Sequence, residues 1–196
     1  MILAMLSGGL DSVTMVYLLL KQGHKLHIHH VEIENEEHRA LAETVAVNNV
    51  LEYFKQNNLT NFTFTTSKIT CPTINGNFLY DATVTNLFAG FICSNEKKIK
   101  SVAIGATKED SQFSNTTRFS QGRQILEMFT TAEKIYPIKE FTKRELYDML
   151  PDELKNLFWS CRTPKYENNY AIKCDRCFTC GQMKKLEILQ KDLFLG

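Results

Sequence analysis

The sequence predicts an α/β fold, a doubly wound parallel sheet followed by a small C-terminal metal-binding segment. Three observations predict it. Short apolar runs alternate with stretches of helical spacing through most of the chain. The first apolar run passes straight into a Gly-Gly turn and then a helical stretch. After Trp159 this periodicity fades and cysteines cluster instead. The expected division is therefore an α/β domain over 1–158 and a four-cysteine segment with a terminal helix over 159–196.

The elements follow in order. Ile2 to Leu6 is a short apolar run, as expected of a parallel strand buried on both faces. Asp11 to Lys21 carries Val13, Val16, Tyr17 and Leu20 at helical spacing and stops at Gly23, a natural helix terminator. Lys25 to Ile33 alternates as a strand does. Glu36 to Asn57 is a long helical stretch in which Leu41, Val45, Val50, Leu51 and Phe54 can share a face. Asn61 to Thr66 is rich in Thr and Phe, residues that favour strands. Leu79 to Cys93 reads as a helix with a seam of small residues at Ala82, Ala89 and Gly90. Val102 to Gly105 is another buried strand, Phe119 to Thr130 a helix, and Lys134 to Ile138 a strand. Lys143 to Leu150 is a helix ended by Pro151.

Composition narrows the function classes. The 196 residues carry 23 basic and 22 acidic side chains, a formal net charge of +1. That balance offers no general footprint for a phosphate backbone, so nucleic acid is not indicated as the main partner. No apolar run reaches the roughly 18 residues a membrane span needs. The N-terminus lacks the charged flank and length of a signal peptide, which sets the expectation of a cytoplasmic, reducing compartment. There the six cysteines read as metal ligands or buried thiols rather than disulfides.

The chemistry starts at Ser7-Gly8-Gly9-Leu10-Asp11-Ser12. Two glycines let the backbone turn sharply and approach a ligand closely. The hydroxyls of Ser7 and Ser12, with the free N–H groups of the helix start, can then face phosphate oxygens. Asp11 suits holding the loop or placing Mg²⁺ beside a pyrophosphate. An ordinary capped Gly-Gly turn is the bland alternative. The strand before the loop, the amphipathic helix after it, and the absence of the Lys of a Walker loop argue for a distinct phosphate site.

This stretch resembles the SGGxDS signature of the PP-loop ATP pyrophosphatases. The resemblance implies ATP and Mg²⁺, with attack of a substrate oxygen on the α-phosphate and departure of pyrophosphate. Residues 7–12 would bind the nucleotide, with Gly105 at the end of a neighbouring strand. Asp11, Ser12 and Lys143 would be catalytic. Pro137 to Glu145 looks like the family's late P-x5-K-x-E segment, in which Lys143 reaches the phosphates. The same residues also read as a helix start, with Thr142 as cap and Glu145 at the capping-box position.

Cys161, Cys174, Cys177 and Cys180 supply four thiolates, the last three as C-x2-C-x2-C. Four thiolates give a closed tetrahedral shell for Zn²⁺ with no open position for catalysis. An iron–sulfur cluster uses the same ligands, and free thiols are the third alternative. Cys93 reads as buried packing, and Cys71 has no evident partner.

SGGxDS joined to this cysteine pattern resembles the 7-cyano-7-deazaguanine synthase family. The resemblance implies a ligase that adenylates 7-carboxy-7-deazaguanine or a close relative. Ammonia would then give the amide and, after a second activation, the nitrile, a step of queuosine biosynthesis. It also suggests a homodimer. The middle of the chain departs from the family. The P-G-R-N element appears as Ile74-Asn75-Gly76-Asn77, so its arginine is missing. The D-x-S-G-Y-P-D-C-R stretch becomes Asp110 to Arg118 with only its ends kept. The family's Arg-His pair falls near Glu34-Asn35. Asn77, Asp110 and Arg118 are the substrate-binding candidates that remain. Asp110 suits the paired donors of a guanine edge, and Arg118 suits a carboxylate. Two other readings stand beside this one: a PP-loop tRNA-modifying enzyme of the thiolation type, and a nucleotide-binding protein with a diverged pocket. His24, His27, His29 and His30 read as strand and edge residues, with His29 or His30 placed to meet an adenine.

Overall fold

The computed structural model describes residues 1–74, 80–110 and 116–196, and only the backbone of 116–119. Five parallel strands form the central sheet: β1 (Ile2–Met5), β2 (Leu26–Glu34), β3 (Phe62–Thr70), β4 (Ser101–Ala103) and β5 (Glu133–Ile135). Their order is β3-β2-β1-β4-β5. The order reverses between β1 and β4, which makes the carboxyl ends of those two strands the expected ligand crevice.

Helices cover both faces, as the alternation along β1 requires. Ala4 and Leu6 look into one core, with α1 (Leu10–Lys21), α2 (Ala40–Gln56) and α5 (Lys143–Met149). Leu3 and Met5 look into the other, with α3 (Asp81–Asn95) and α4 (Thr116–Glu127). A short helix, α6 (Asp152–Lys155), adds Leu154 to the first core.

Several bounds differ from the sequence reading, each for a local reason. The helix expected from Glu36 begins only at Ala40, because His38 takes φ 55° and Asn35 closes a turn on the Glu37 N–H at 3.0 Å. Its buried face is Ala42, Ala46, Val47, Val50, Leu51 and Phe54, while Leu41 stands exposed. β3 runs four residues beyond Thr66, since the long β2 offers a partner and Lys68 bridges Glu32 and Glu34 on it. β4 ends at Ala103, two residues short of Gly105. The strand expected over Lys134 to Ile138 stops at Ile135, ahead of Pro137, which has no N–H to give a ladder. Of the small-residue seam on α3, Ala89 and Gly90 are buried and Ala82 is exposed.

The cysteine segment holds more order than its fading periodicity implied. β6 (Lys165–Glu167), β7 (Tyr170–Ile172) and β8 (Leu193–Phe194) form a small antiparallel sheet, and α7 (Phe178–Lys185) starts after Cys177 and carries Cys180 in its first turn. The β6–β7 turn is Asn168-Asn169, both with positive φ, as a two-residue hairpin demands. The segment packs on α2 through Trp159, Ala171 and Leu193 against Ala42 and Ala46. No helix among the described residues is long and apolar enough to cross a membrane.

Candidate nucleotide site and metal centre

The loop after β1 builds its own shape. Gly8 takes φ +82°, and a Cβ there would stand 3.0 Å from the Glu43 carbonyl and 3.3 Å from Ala46 Cβ. The Ser7 N–H donates to Ser12 Oγ at 3.1 Å, and the two hydroxyls meet at 3.0 Å. Ser12 Oγ donates to the Gly9 carbonyl at 3.1 Å. No side chain caps the start of α1. Its first N–H groups are therefore available to an anion, and the helix dipole favours one there. Gly105 lets the end of β4 lie against this turn, since a Cβ on it would come within 3.0 Å of the Ser12 backbone.

Lys143 reaches the same loop from the start of α5 and forms an ion pair with Asp11 Oδ2. Burial works against its charge, but Asp11, Asp110 and Glu109 outweigh that and hold the ammonium above the ordinary lysine range. The Glu109 carboxylate also accepts from the Lys143 backbone N–H at 3.1 Å. Asp11 Oδ1 is buried without a hydrogen-bond partner. A free carboxylate oxygen beside a phosphate-binding turn fits a Mg²⁺ ligand.

A cavity of about 300 Å³ opens at this point, at the carboxyl ends of β1, β2 and β4. Ser7, Gly9, Leu10, Asp11, Ser12, Gly105 and Lys143 all line it. The sequence reading thus gathers seven candidates in one place, with Gly8 directly behind them. Asp110 lies outside the lining. Its Oδ2 accepts from the Thr107 N–H at 2.6 Å and from Thr107 Oγ1 at 3.0 Å, closing a turn. Asn77 falls outside the described residues, and Arg118 is described only as backbone within α4.

Other lining residues escaped the sequence reading. At one end Arg39 pairs with Glu43 at 2.7 Å, Asp81 at 2.6 Å and Glu37 at 2.9 Å. Arg162 joins through Glu37 at 2.6 Å and Asp81 at 3.3 Å. Burial opposes the Arg39 charge, yet the three carboxylates hold it above its usual range. Arg39 and Glu43 stand four apart near a helix start, which in sequence is indistinguishable from a solvent-facing pair. Of the two histidines the sequence set near an adenine, His29 lines the cavity, 2% exposed, with Nδ1 at 2.8 Å from Thr65 Oγ1 and Nε2 unpartnered. Burial, helped by His27 and His30, lowers its pKa to about 4, so the ring is neutral. His30 is structural: its Nδ1 donates to the Leu6 carbonyl at 2.9 Å and its Nε2 accepts from Thr44 at 3.1 Å.

With this geometry in view, one comparison is informative. Residues 1–76 match the family model of ThiI, a thiamine biosynthesis protein. The match supports the PP-loop ATP pyrophosphatase superfamily. It takes in β1 to β3 with the PP-loop itself, and so fits an ATP-using site at residues 7–12. It does not single out 7-cyano-7-deazaguanine synthases. No curated protein matches the chain.

The PP-loop touches the cysteine segment directly. The Trp159 N–H donates to the Gly8 carbonyl at 2.8 Å, and the Ser160 N–H to Gln190 Oε1 at 3.1 Å. Beyond them Cys161, Cys174, Cys177 and Cys180 place their sulfurs within 4.8 Å of one another. The Cys174 N–H points at Cys161 Sγ at 3.3 Å, the Cys177 N–H at Cys174 Sγ at 3.3 Å, and the Cys180 N–H at Cys177 Sγ at 3.5 Å. Four soft donors with backbone N–H groups turned towards them fit a tetrahedral Zn²⁺ centre of structural type.

Proposed function

We propose that the chain is an ATP-dependent ligase that activates a carboxylate for attack by ammonia, with 7-carboxy-7-deazaguanine or a close relative as acceptor. The carrying observation is the uncapped loop of residues 7–12 with Lys143 and Asp11 on the wall of a cavity large enough for more than the phosphates. The acceptor's carboxylate oxygen attacks the α-phosphorus of ATP, and pyrophosphate leaves. The loop N–H groups and the Ser7 and Ser12 hydroxyls hold the departing group, and Lys143 offsets the charge that develops on it. Ammonia attacks the acyl carbon, AMP leaves, and a proton is lost to give the amide. A second ATP activates the amide oxygen, and departure of AMP gives the nitrile. Mg²⁺, when bound, would neutralise phosphate charge, and Asp11 is the residue suited to hold it. Four thiolates suit Zn²⁺ as a structural ion rather than a reactant.

The test is incubation with Mg-ATP, ammonium and 7-carboxy-7-deazaguanine, following AMP and deazaguanine products together by mass spectrometry. Amide or nitrile appearing with AMP supports the ligase. AMP without either points to another acceptor, and neither AMP nor product removes the assignment.

The family-model match is equally compatible with a second reading, PP-loop chemistry that delivers sulfur to tRNA. Elemental analysis separates the two in part: an iron-containing brown protein favours thiolation, and colourless zinc protein opposes it.

A further inference from the structure

The cavity wall also carries a pair that the nucleotide site does not use. Lys134 on β5 and Asn86 on α3 both line the cavity. They lie close together where α4 approaches. A Cβ on Gly122 would stand 3.0 Å from Asn86 Nδ2 and 3.4 Å from Lys134 Nζ. Glycine at that position makes room for both side chains.

Asn86 is 2% exposed, and its orientation is fixed. Nδ2 donates to the Ala82 carbonyl at 2.6 Å, so the amide cannot turn over without losing that bond. Oδ1 is left buried with no hydrogen-bond partner. A buried amide oxygen without a partner is costly, and in a cavity wall it marks a place for a ligand donor. Lys134 supplies the complementary group. Among the described residues no carboxylate pairs with it, and its ammonium lies 5.5 Å from the centre of the Tyr136 ring. Burial lowers its pKa to about 8, which leaves it a cation at neutral pH.

We propose that Lys134 and Asn86 anchor the acceptor substrate by an edge that sets an oxygen beside an N–H, as a lactam or carboxamide does. Lys134 Nζ donates to the oxygen, and Asn86 Oδ1 accepts from the N–H. A bare carboxylate fits less well, because its second oxygen would face Asn86 Oδ1. The assignment rests on the ligase reading, which places ATP at residues 7–12 and the acceptor elsewhere in the cavity. It moves recognition of the acceptor's base from Asp110, whose Oδ2 is already engaged by Thr107, to residues inside the cavity.

The test is titration calorimetry on the full chain with two probes, 7-carboxy-7-deazaguanine and its O6-methyl ether. The ether keeps the carboxylate and ring size but lacks the lactam N–H. Each probe is titrated with and without a non-hydrolysable ATP analogue, whose own binding is measured separately. Wild type should bind the lactam at least tenfold more tightly than the ether. Lys134→Met should lose most of that difference while ATP-analogue affinity changes less than twofold. Gly122→Ala, which crowds the same pair from α4, should weaken the lactam probe in the same direction, with melting curves showing both variants folded. Equal binding of the two probes by wild type would overturn the proposal. So would an unchanged preference in Lys134→Met, or a loss confined to the ATP analogue. Failure of wild type to bind the analogue at all strikes the ligase reading instead, since probe binding is read without nucleotide.

Discussion

At the residue scale, the Lys143–Asp11 pair is the most exacting feature of the site. Lys143 comes from α5, 132 positions away in sequence, and lands on the loop that follows β1. A cation that meets charge developing on a departing phosphate acts most strongly in the transition state, so its loss is read mainly in the rate. Lys143→Met should lower AMP formation by about a hundredfold or more while ATP binding falls far less. A quench-flow measurement of AMP at saturating ATP checks this, and an unchanged rate would remove Lys143 from the chemistry. His29 gives a prediction of another kind. Its pKa is held at about 4 in the fold by burial, against 6.5 when unfolded. Between those values the unfolded chain takes up a proton that the folded chain refuses. The stabilising contribution is therefore complete above pH 6.5 and is lost as pH falls towards 4. The gap corresponds to about 3 kcal/mol. Urea midpoints of wild type should drop over that window more steeply than those of His29→Gln. Parallel slopes would show that His29 is not the group responsible.

At the element scale, what holds the site is backbone geometry that only certain residues permit. Gly8 combines a left-handed φ with a close approach to α2. Gly8→Ala should cost about 1–2 kcal/mol for the conformation, beyond the contact with the Glu43 carbonyl, and should abolish ATP binding. Thermal melts and calorimetry on one preparation separate the two effects. The capping box at α5 is the opposite case, a feature fully legible beforehand. Thr142 Oγ1 accepts from the Glu145 N–H at 3.3 Å, and Glu145 Oε2 accepts from the Thr142 N–H at 2.7 Å. Thr142-Lys143-Arg144-Glu145 announced it because a cap is local: four consecutive residues contain every participant. The loop of residues 7–12 and the four cysteines were legible for the same reason. Arg39, Asp81, Arg162, Asn86 and Lys134 were not. Their partners come from elements brought together only by the order of the sheet, and no spacing in sequence records that order. The strands β6 to β8 were missed because strands of two or three residues are too short to show a period.

At the scale of the whole molecule, the cysteine segment meets the loop that follows β1. Cys161 is two residues from Trp159, whose backbone holds Gly8, and one residue from Arg162, which joins the cluster on Arg39. Thr179, Gln182 and Met183, on the helix that follows Cys177, complete the cavity wall. A tetrahedral metal on the four sulfurs would thus fix one side of the cavity as well as the segment itself. Trp159 reports on this cleanly, being the sole tryptophan in the sequence and almost fully buried. Its indole N–H donates to the Cys161 carbonyl at 3.0 Å. Removing the metal with a strong chelator should shift tryptophan emission to the red and weaken binding of an ATP analogue at least tenfold. Far-ultraviolet dichroism should change little, because the five-stranded sheet and its two cores contain none of the four ligands. Cys177→Ser should reproduce the metal-free emission without chelator, and restoring zinc to the wild type should reverse both changes. Emission that shifts while ATP affinity holds would confine the metal to the segment. Emission that does not move at all would mean that packing on α2, not the metal, holds the segment in place.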